Sequence, residues 1–271
     1  MNSIKAHAKV NIFLKITGHE SGYHTLISRF MRVENLYDTI DFTPAHCDSF
    51  TLEGFTDIPL ESNTIYKAYL ALKEYTKSDA IDIFFSEHKV SVSKHIPSQA
   101  GLGGGSSDAA AFMRLANEAC GLGINIDTLS EIGSKIGADL PFFIYNYPSA
   151  NVKGFGNIVQ AYDEEPLELE IWTPNIACDT AEVYKTFKRE LLCDINPSSY
   201  AKWEHLDSKS LLDTIADPVV LNDLYLAAMI AYPQLKLLEG RNGWFFSGSG
   251  SSFFRIKEKK ELDGNQNNIS K

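Results

Sequence analysis

Apolar and polar residues alternate through Lys9-Val10-Asn11-Ile12-Phe13-Leu14-Lys15-Ile16, which puts Val10, Ile12, Leu14 and Ile16 on one face of a strand. Lys9, Asn11 and Lys15 fall on the other face, which is open to solvent or a ligand. Further strand-like runs occupy about 30–33, 39–43, 81–85, 89–92, 152–159, 167–173, 244–247 and 252–256. After Asn63 the period changes: Ile65, Ala68, Tyr69 and Leu72 share a helical stripe, with Asn63 or Thr64 as its cap. The same spacing predicts helices from Ser106 or Ser107 to near Gly121 and over 127–136, 180–189 and 221–232, the last stopped by Pro233. Strands and helices mix without a regular βαβα order, so the class is α+β. A length of 271 residues suits about two domains or one large one, and the polar Asp163-Glu164-Glu165-Pro166 is the expected crossing between 1–160 and 161–271. The tail from Asp263 to Lys271 reads as frayed.

Composition narrows the function classes. With 44% hydrophobic and 22% charged residues the chain can bury a core, which excludes bulk disorder. A formal charge of −10 leaves no general basic field for nucleic acid. Small anions remain accessible, because backbone amides and one or two lysines suffice to hold phosphates. The longest apolar run, Leu224 to Tyr232, is about half of the ~18 residues a membrane span needs. No secretory pattern opens the chain, so a cytoplasmic location is expected. Cys47, Cys120, Cys178 and Cys193 show neither metal nor disulfide spacing and read as reduced, structural thiols.

The most informative segment is Pro97-Ser98-Gln99-Ala100-Gly101-Leu102-Gly103-Gly104-Gly105-Ser106-Ser107, which runs from a strand region directly into a helix. Glycines let the backbone approach phosphate oxygens, and the unpaired amides and positive dipole of a helix start favour negative charge. No Lys follows the glycines, as a Walker A loop requires, and Ser106 occupies the third glycine place of a dinucleotide fingerprint. A Ser-capped flexible turn is the competing account. Four glycines in five positions exceed what a turn requires and cost entropy on ordering. Asp108, in the first helical turn, is read as ordinary dipole complementation and left out of the chemistry.

Lys9 and Asp139 are the candidates for charge at a reacting centre. Asp139 stands in Gly137-Ala138-Asp139-Leu140-Pro141-Phe142-Phe143, between a helix-ending glycine and an expected apolar strand. A carboxylate in that context is semi-buried and needs a cationic partner. A structural ion pair fits the sequence as well as a catalytic one. The second glycine-rich stretch, Ser247 to Ser252, can lay amides against a phosphate or against the first loop; a hairpin turn explains it equally well. Gly22-Tyr23-His24 offers an aromatic plane and an imidazole suited to a base, although a lone His is commonly structural. The other histidines lack metal-ligand spacing, and no resident metal is expected.

Taken together, Ala8 to Leu14, Gly22-Tyr23-His24, Pro97 to Ala110, Gly137 to Phe142 and Gly248 to Ser252 resemble the GHMP kinase superfamily over nearly the whole chain. The resemblance implies a ribosomal-protein-like N-terminal domain and a ferredoxin-like C-terminal domain with the site between them. It implies ATP, with Mg2+ carried mainly on its phosphates, held by Pro97 through Ser107 with Asn63 near the adenosine. Asp139 is then the base for a substrate hydroxyl, and Lys9 neutralises charge between that hydroxyl and the γ-phosphate. Asn11, Tyr23, His24, Thr180 and Tyr184 match positions lining a pocket for a diphosphocytidyl-linked alcohol, with Tyr23 and Tyr184 about the cytosine. His7 and Ala181 stand where proline is usual or occurs in relatives, and the stretch from Lys188 to Ser210 does not align with the pattern.

Overall fold

Two long antiparallel strands, β1 (Ser3–Glu20) and β2 (Tyr23–Pro44), form the spine of the molecule. The computed structural model describes residues 2–20, 22–55, 58–192, 200–238 and 243–257. The runs expected at 30–33 and 39–43 are two parts of β2. Register shifts at His7/Ala8 and Asn11/Phe13 bend the pair. Phe13 is therefore buried, as are Val10 and Ile12.

The first sheet is completed by β3 (Leu52–Glu53), β4 (His88–Ser93), β5 (Ser149–Gly154) and β6 (Ile158–Ala161), in the order β3-β4-β2-β5-β6 with β1 paired to β2. The helices α1 (Thr64–Thr76), α2 (Ala80–Ser86), α3 (Gly104–Ala119), α4 (Ile126–Ser134) and α5 (Leu140–Tyr145) contribute to its core, in which Phe30, Phe42, Phe85, Phe112 and Phe142 are buried. A second sheet has the order β7-β9-β8, from β7 (Leu169–Trp172), β8 (Phe245–Phe246) and β9 (Phe253–Ile256). With it lie α6 (Thr180–Thr186), α7 (Ser208–Ile215), α8 (Pro218–Leu221) and α9 (Leu224–Ala231). No helix of the described residues is long and apolar enough to cross a membrane.

Several expectations are corrected. The run 81–85 is helix α2, where Ile81 and Phe85 reach the aromatic core at helical spacing. The apolar run after Asp139 is likewise a helix, with Pro141 in its first turn, where a missing N–H costs no hydrogen bond. Residues 152–159 are a hairpin rather than one strand, turning at Gly154 and Gly156, both at positive φ. The helix expected over 221–232 breaks at Asn222, whose Nδ2 donates to Phe246 O and Gly248 O at 3.0 and 2.9 Å. The helix expected over 180–189 ends as α6 and widens into a π turn at Phe187–Leu191.

The apolar face of β1 packs on the C-terminal elements. Ala8, Val10 and Ile12 share a core with Leu211, Leu212, Leu221 and Phe254. Arg29 reinforces the junction from the middle of β2. Its fully buried guanidinium donates to the carbonyls of Glu204 and Leu206 at 2.9 and 3.0 Å and to Asn151 Oδ1 at 2.8 Å. It pairs with Glu164 at 3.5 Å and stacks 3.4 Å from the Tyr162 ring centroid.

Cys47, Cys120 and Cys178 are free thiols; Cys193 and the C-terminal tail lie outside the described residues. Burial pushes Cys120 up to about 12 and Cys178 up to about 11. Both should resist iodoacetamide at pH 8 in the folded protein and react only with denaturant, as peptide mass mapping can read.

Candidate active site

Lys9 is placed by β1 in a site that is nearly closed to solvent. Its Nζ donates to Asn11 Oδ1 at 2.6 Å, and Asn11 Nδ2 donates to Ser28 Oγ at 2.9 Å. The same Nζ lies 3.6 Å from Asp139 Oδ2 and 4.4 Å from the Phe30 ring centroid. Burial lowers the Lys9 pKa, while the Asp139 carboxylate opposes that shift. Asp139 precedes α5, yet its side chain caps no amide of that helix. Its carboxylate is free for other work, and 30% of the side chain is exposed.

The glycine-rich loop reaches β1 directly, through Lys9 N donating to Leu102 O at 3.0 Å. Gly101 and Gly103 take positive φ, and a Cβ on Gly101 would sit 2.2 Å from Ser247 O. Helix α3 starts at Gly104, two residues before the expected Ser106. The first-turn amides of Gly104, Gly105 and Ser106 have no acceptor within the helix. Gly104 and Gly105 line a pocket of about 230 Å³ with Asn63, Pro97, Ser98, Gln99 and Ala100. A cradle of glycines and free amides at a helix start fits polyphosphate. Asn63 caps α1 by accepting from Ile65 N at 2.8 Å. Ser107 is engaged elsewhere, its hydroxyl donating to His7 O at 2.7 Å.

The second glycine-rich stretch braces the first loop. Ser252 N donates to Ala100 O at 3.1 Å, and Ser247 Oγ donates to Gly101 O at 2.9 Å.

Gly101, in the same loop, lines a larger cavity of about 1020 Å³. Lys9, Asn11, Tyr23, His24, Asp139, Thr180 and Tyr184 all line it, so the expected catalytic pair and substrate residues converge. The aromatic arrangement is more specific than a pair of tyrosines. His24 stacks on Tyr184 at 5.7 Å, whereas Tyr23, 71% exposed, meets Phe155 edge-on at 6.0 Å. Thr180 and Ser249 hydroxyls are 2.8 Å apart, which fixes α6 against the second glycine-rich stretch.

Sequence reasoning missed several lining residues. Phe155 enters because the 152–159 segment is a hairpin, a signal carried by its two glycines. Lys185 and Lys188, one and four residues beyond Tyr184 and one helical turn apart, add positive charge to the wall. Asp108 is more than a dipole partner. It is fully buried, and Lys94 bridges it at 2.6 Å to Asp38. Burial, reinforced by the Asp38 charge, pushes Asp108 up to about 7 despite Lys94. Lys94 and Asp108 both line the smaller pocket.

Comparison with known proteins settles the family. Residues 63–147 match the model of the GHMP kinases N terminal domain. A protein of Sulfurovum sp. (strain NBC37-1), named 4-diphosphocytidyl-2-C-methyl-D-erythritol kinase, is 61% identical over 258 residues, 95% of this chain and 100% of that protein. The chain belongs to the 4-diphosphocytidyl-2-C-methyl-D-erythritol kinase family. A further 4-diphosphocytidyl-2-C-methyl-D-erythritol kinase, from Sulfurimonas denitrificans (strain ATCC 33889 / DSM 1251), is 42% identical, with 97% of this chain and 99% of that protein covered. A crystal structure of 4-(cytidine 5'-diphospho)-2C-methyl-D-erythritol kinase superposes with TM-score 0.71 at 27% identity, covering 94% of this chain and 90% of that one. The Methanococcus jannaschii mevalonate kinase, at TM-score 0.61 and 14% identity over 94% of this chain and 90% of that one, shares the fold. The α+β fold expected of a GHMP kinase is thereby borne out.

Proposed function

We propose that the protein transfers the γ-phosphate of ATP to the 2-hydroxyl of 4-diphosphocytidyl-2-C-methyl-D-erythritol, in the non-mevalonate route to isoprenoid precursors. One observation carries the reading: the Lys9–Asp139 pair lines a large cavity that the glycine-rich loop enters at Gly101, while Ala100, Gly104 and Gly105 of the same loop line a second pocket. Residues 1–160 are read as the nucleotide-holding domain and 161–271 as the domain that closes the substrate side.

Phosphoryl transfer asks the protein chiefly for alignment and charge neutralisation. Asp139 accepts the proton of the attacking hydroxyl. Lys9, held by Asn11 at 2.6 Å, balances charge between that oxygen and the transferred group. Pro97 to Ser106 hold the phosphates, with Asn63 at the nucleoside end and Ser107 anchoring the loop to His7 O. Mg2+ bound to the phosphates offsets their charge. Tyr23, His24, Tyr184 and Phe155 supply ring surface for the cytosine, and Thr180 supplies a hydroxyl. Lys185 and Lys188 suit a cavity that has to admit a diphosphate.

A kinase for mevalonate, homoserine or a sugar would not need this aromatic wall. In a coupled assay the cytidylated alcohol should be phosphorylated rapidly and 2-C-methylerythritol 4-phosphate at least roughly 10²-fold more slowly, because the stacking and hydrogen bonds of the base are lost. Equal rates on both would overturn the substrate assignment and leave the kinase chemistry intact.

A further inference from the structure

The protein is strongly acidic overall, yet Lys5, His7, Arg32 and Arg114 converge on one small depression outside the catalytic cavity. They come from three elements, β1, β2 and α3. Most already have partners. Arg32 pairs with Glu34 at 2.6 Å and donates to Asn146 O and Oδ1 at 3.0 and 3.2 Å. Lys5 Nζ lies 4.1 Å from the Tyr37 ring centroid, and His7 Nδ1 is 3.3 Å from Val33 O.

Arg114 is different. It is half-buried, and among the described residues no carboxylate or other acceptor pairs with its guanidinium. Burial and the neighbouring Arg32 both act to lower its pKa. A half-buried guanidinium beside another cation presents a planar fork of donors, which is matched by an oxyanion. Lys5, Arg32 and Arg114 against Glu34 leave two positive charges, His7 counted as neutral because burial lowers its pKa. The floor of the depression, about 10 Å³, takes one oxygen atom and leaves the rest of a ligand facing outward.

We propose that this depression is a second anion site, separate from the glycine cradle, which binds a phosphate-type dianion through the Arg114 guanidinium with Arg32 and Lys5 at its rim. Ser107 contributes no free donor, since its hydroxyl already donates to His7 O. The site therefore touches the first turns of α3 from behind the nucleotide loop without sharing its amides.

The test uses the full chain, with the glycine cradle filled by a saturating non-hydrolysable ATP analogue and Mg2+. Thermal unfolding is followed against inorganic phosphate or methyl phosphate, with KCl matching the ionic strength. Wild type should gain a saturable rise in midpoint that KCl does not give. Arg114→Gln should lose that rise while unfolding, without phosphate, no lower than wild type, because a repulsion has been removed. Arg114→Lys, which keeps charge but not the fork, should keep a weakened response and stands in should the Gln variant not fold. A response to both anions identifies the phosphoryl group as what is read; a response to inorganic phosphate alone identifies the free ion. No rise in wild type, or an equal rise in both Arg114 variants, overturns the proposal.

Discussion

Asp139→Asn should lower turnover by roughly 10²-fold or more, the usual loss for a general base, while ATP binds nearly as well as before. The asymmetry follows from the geometry: Asp139 lines the large cavity and is absent from the wall of the smaller pocket that holds the glycine cradle. Steady-state kinetics should therefore show kcat falling with the KM for ATP little changed. A second consequence concerns Lys9. Burial lowers its pKa, and Asp139 is the charge that opposes this. Without the carboxylate the ammonium loses its proton more readily, so the residual activity should fall off at lower pH on the alkaline side than in wild type. Near-normal turnover in the Asn variant would remove Asp139 from the mechanism.

Arg29→Met should destabilise the fold by about 3–5 kcal/mol, the cost of removing one partner from a buried ion pair. The Glu164 carboxylate would keep its bonds from Ser149 and from Ser208, but it would lose its cation. The carbonyls of Glu204 and Leu206 would lose donors in the same step. At about 2–4 °C per kcal/mol for a chain approaching this size, the midpoint of thermal unfolding should drop by roughly 10 °C. Calorimetry of the variant checks this, and a shift below about 2 °C would show the guanidinium to be dispensable.

The candidate site was more legible than the architecture around it, because its signals are local. Four glycines around the start of a helix announce a cradle within eleven residues. Lys9 and Asn11 stand out because they interrupt an apolar strand on one face. Asp139 stands out through its apolar surroundings, although the helix that follows it reads as a strand: six residues of Leu, Pro, Phe, Ile and Tyr carry no decisive period. Helix α2 was misread for the same reason. Its Ile81, Phe84 and Phe85 favour strands locally, and packing against Phe42, Phe50 and Phe112 selects the helix. The role of Arg29 was invisible in sequence, since its acceptors lie up to 179 positions away. The same holds for Asp108, whose partner Asp38 is brought to it only by the pairing of β2 with β4 and the bridge through Lys94.

The bonds from Ser247 and Ser252 to Gly101 and Ala100 tie together two stretches about 150 residues apart in the chain. During synthesis the ribosome delivers the glycine-rich loop some 145 codons before the residues that hold it in shape. A nascent chain halted short of those serines lacks the brace, so the loop takes its final shape only after residues far downstream of it have been made.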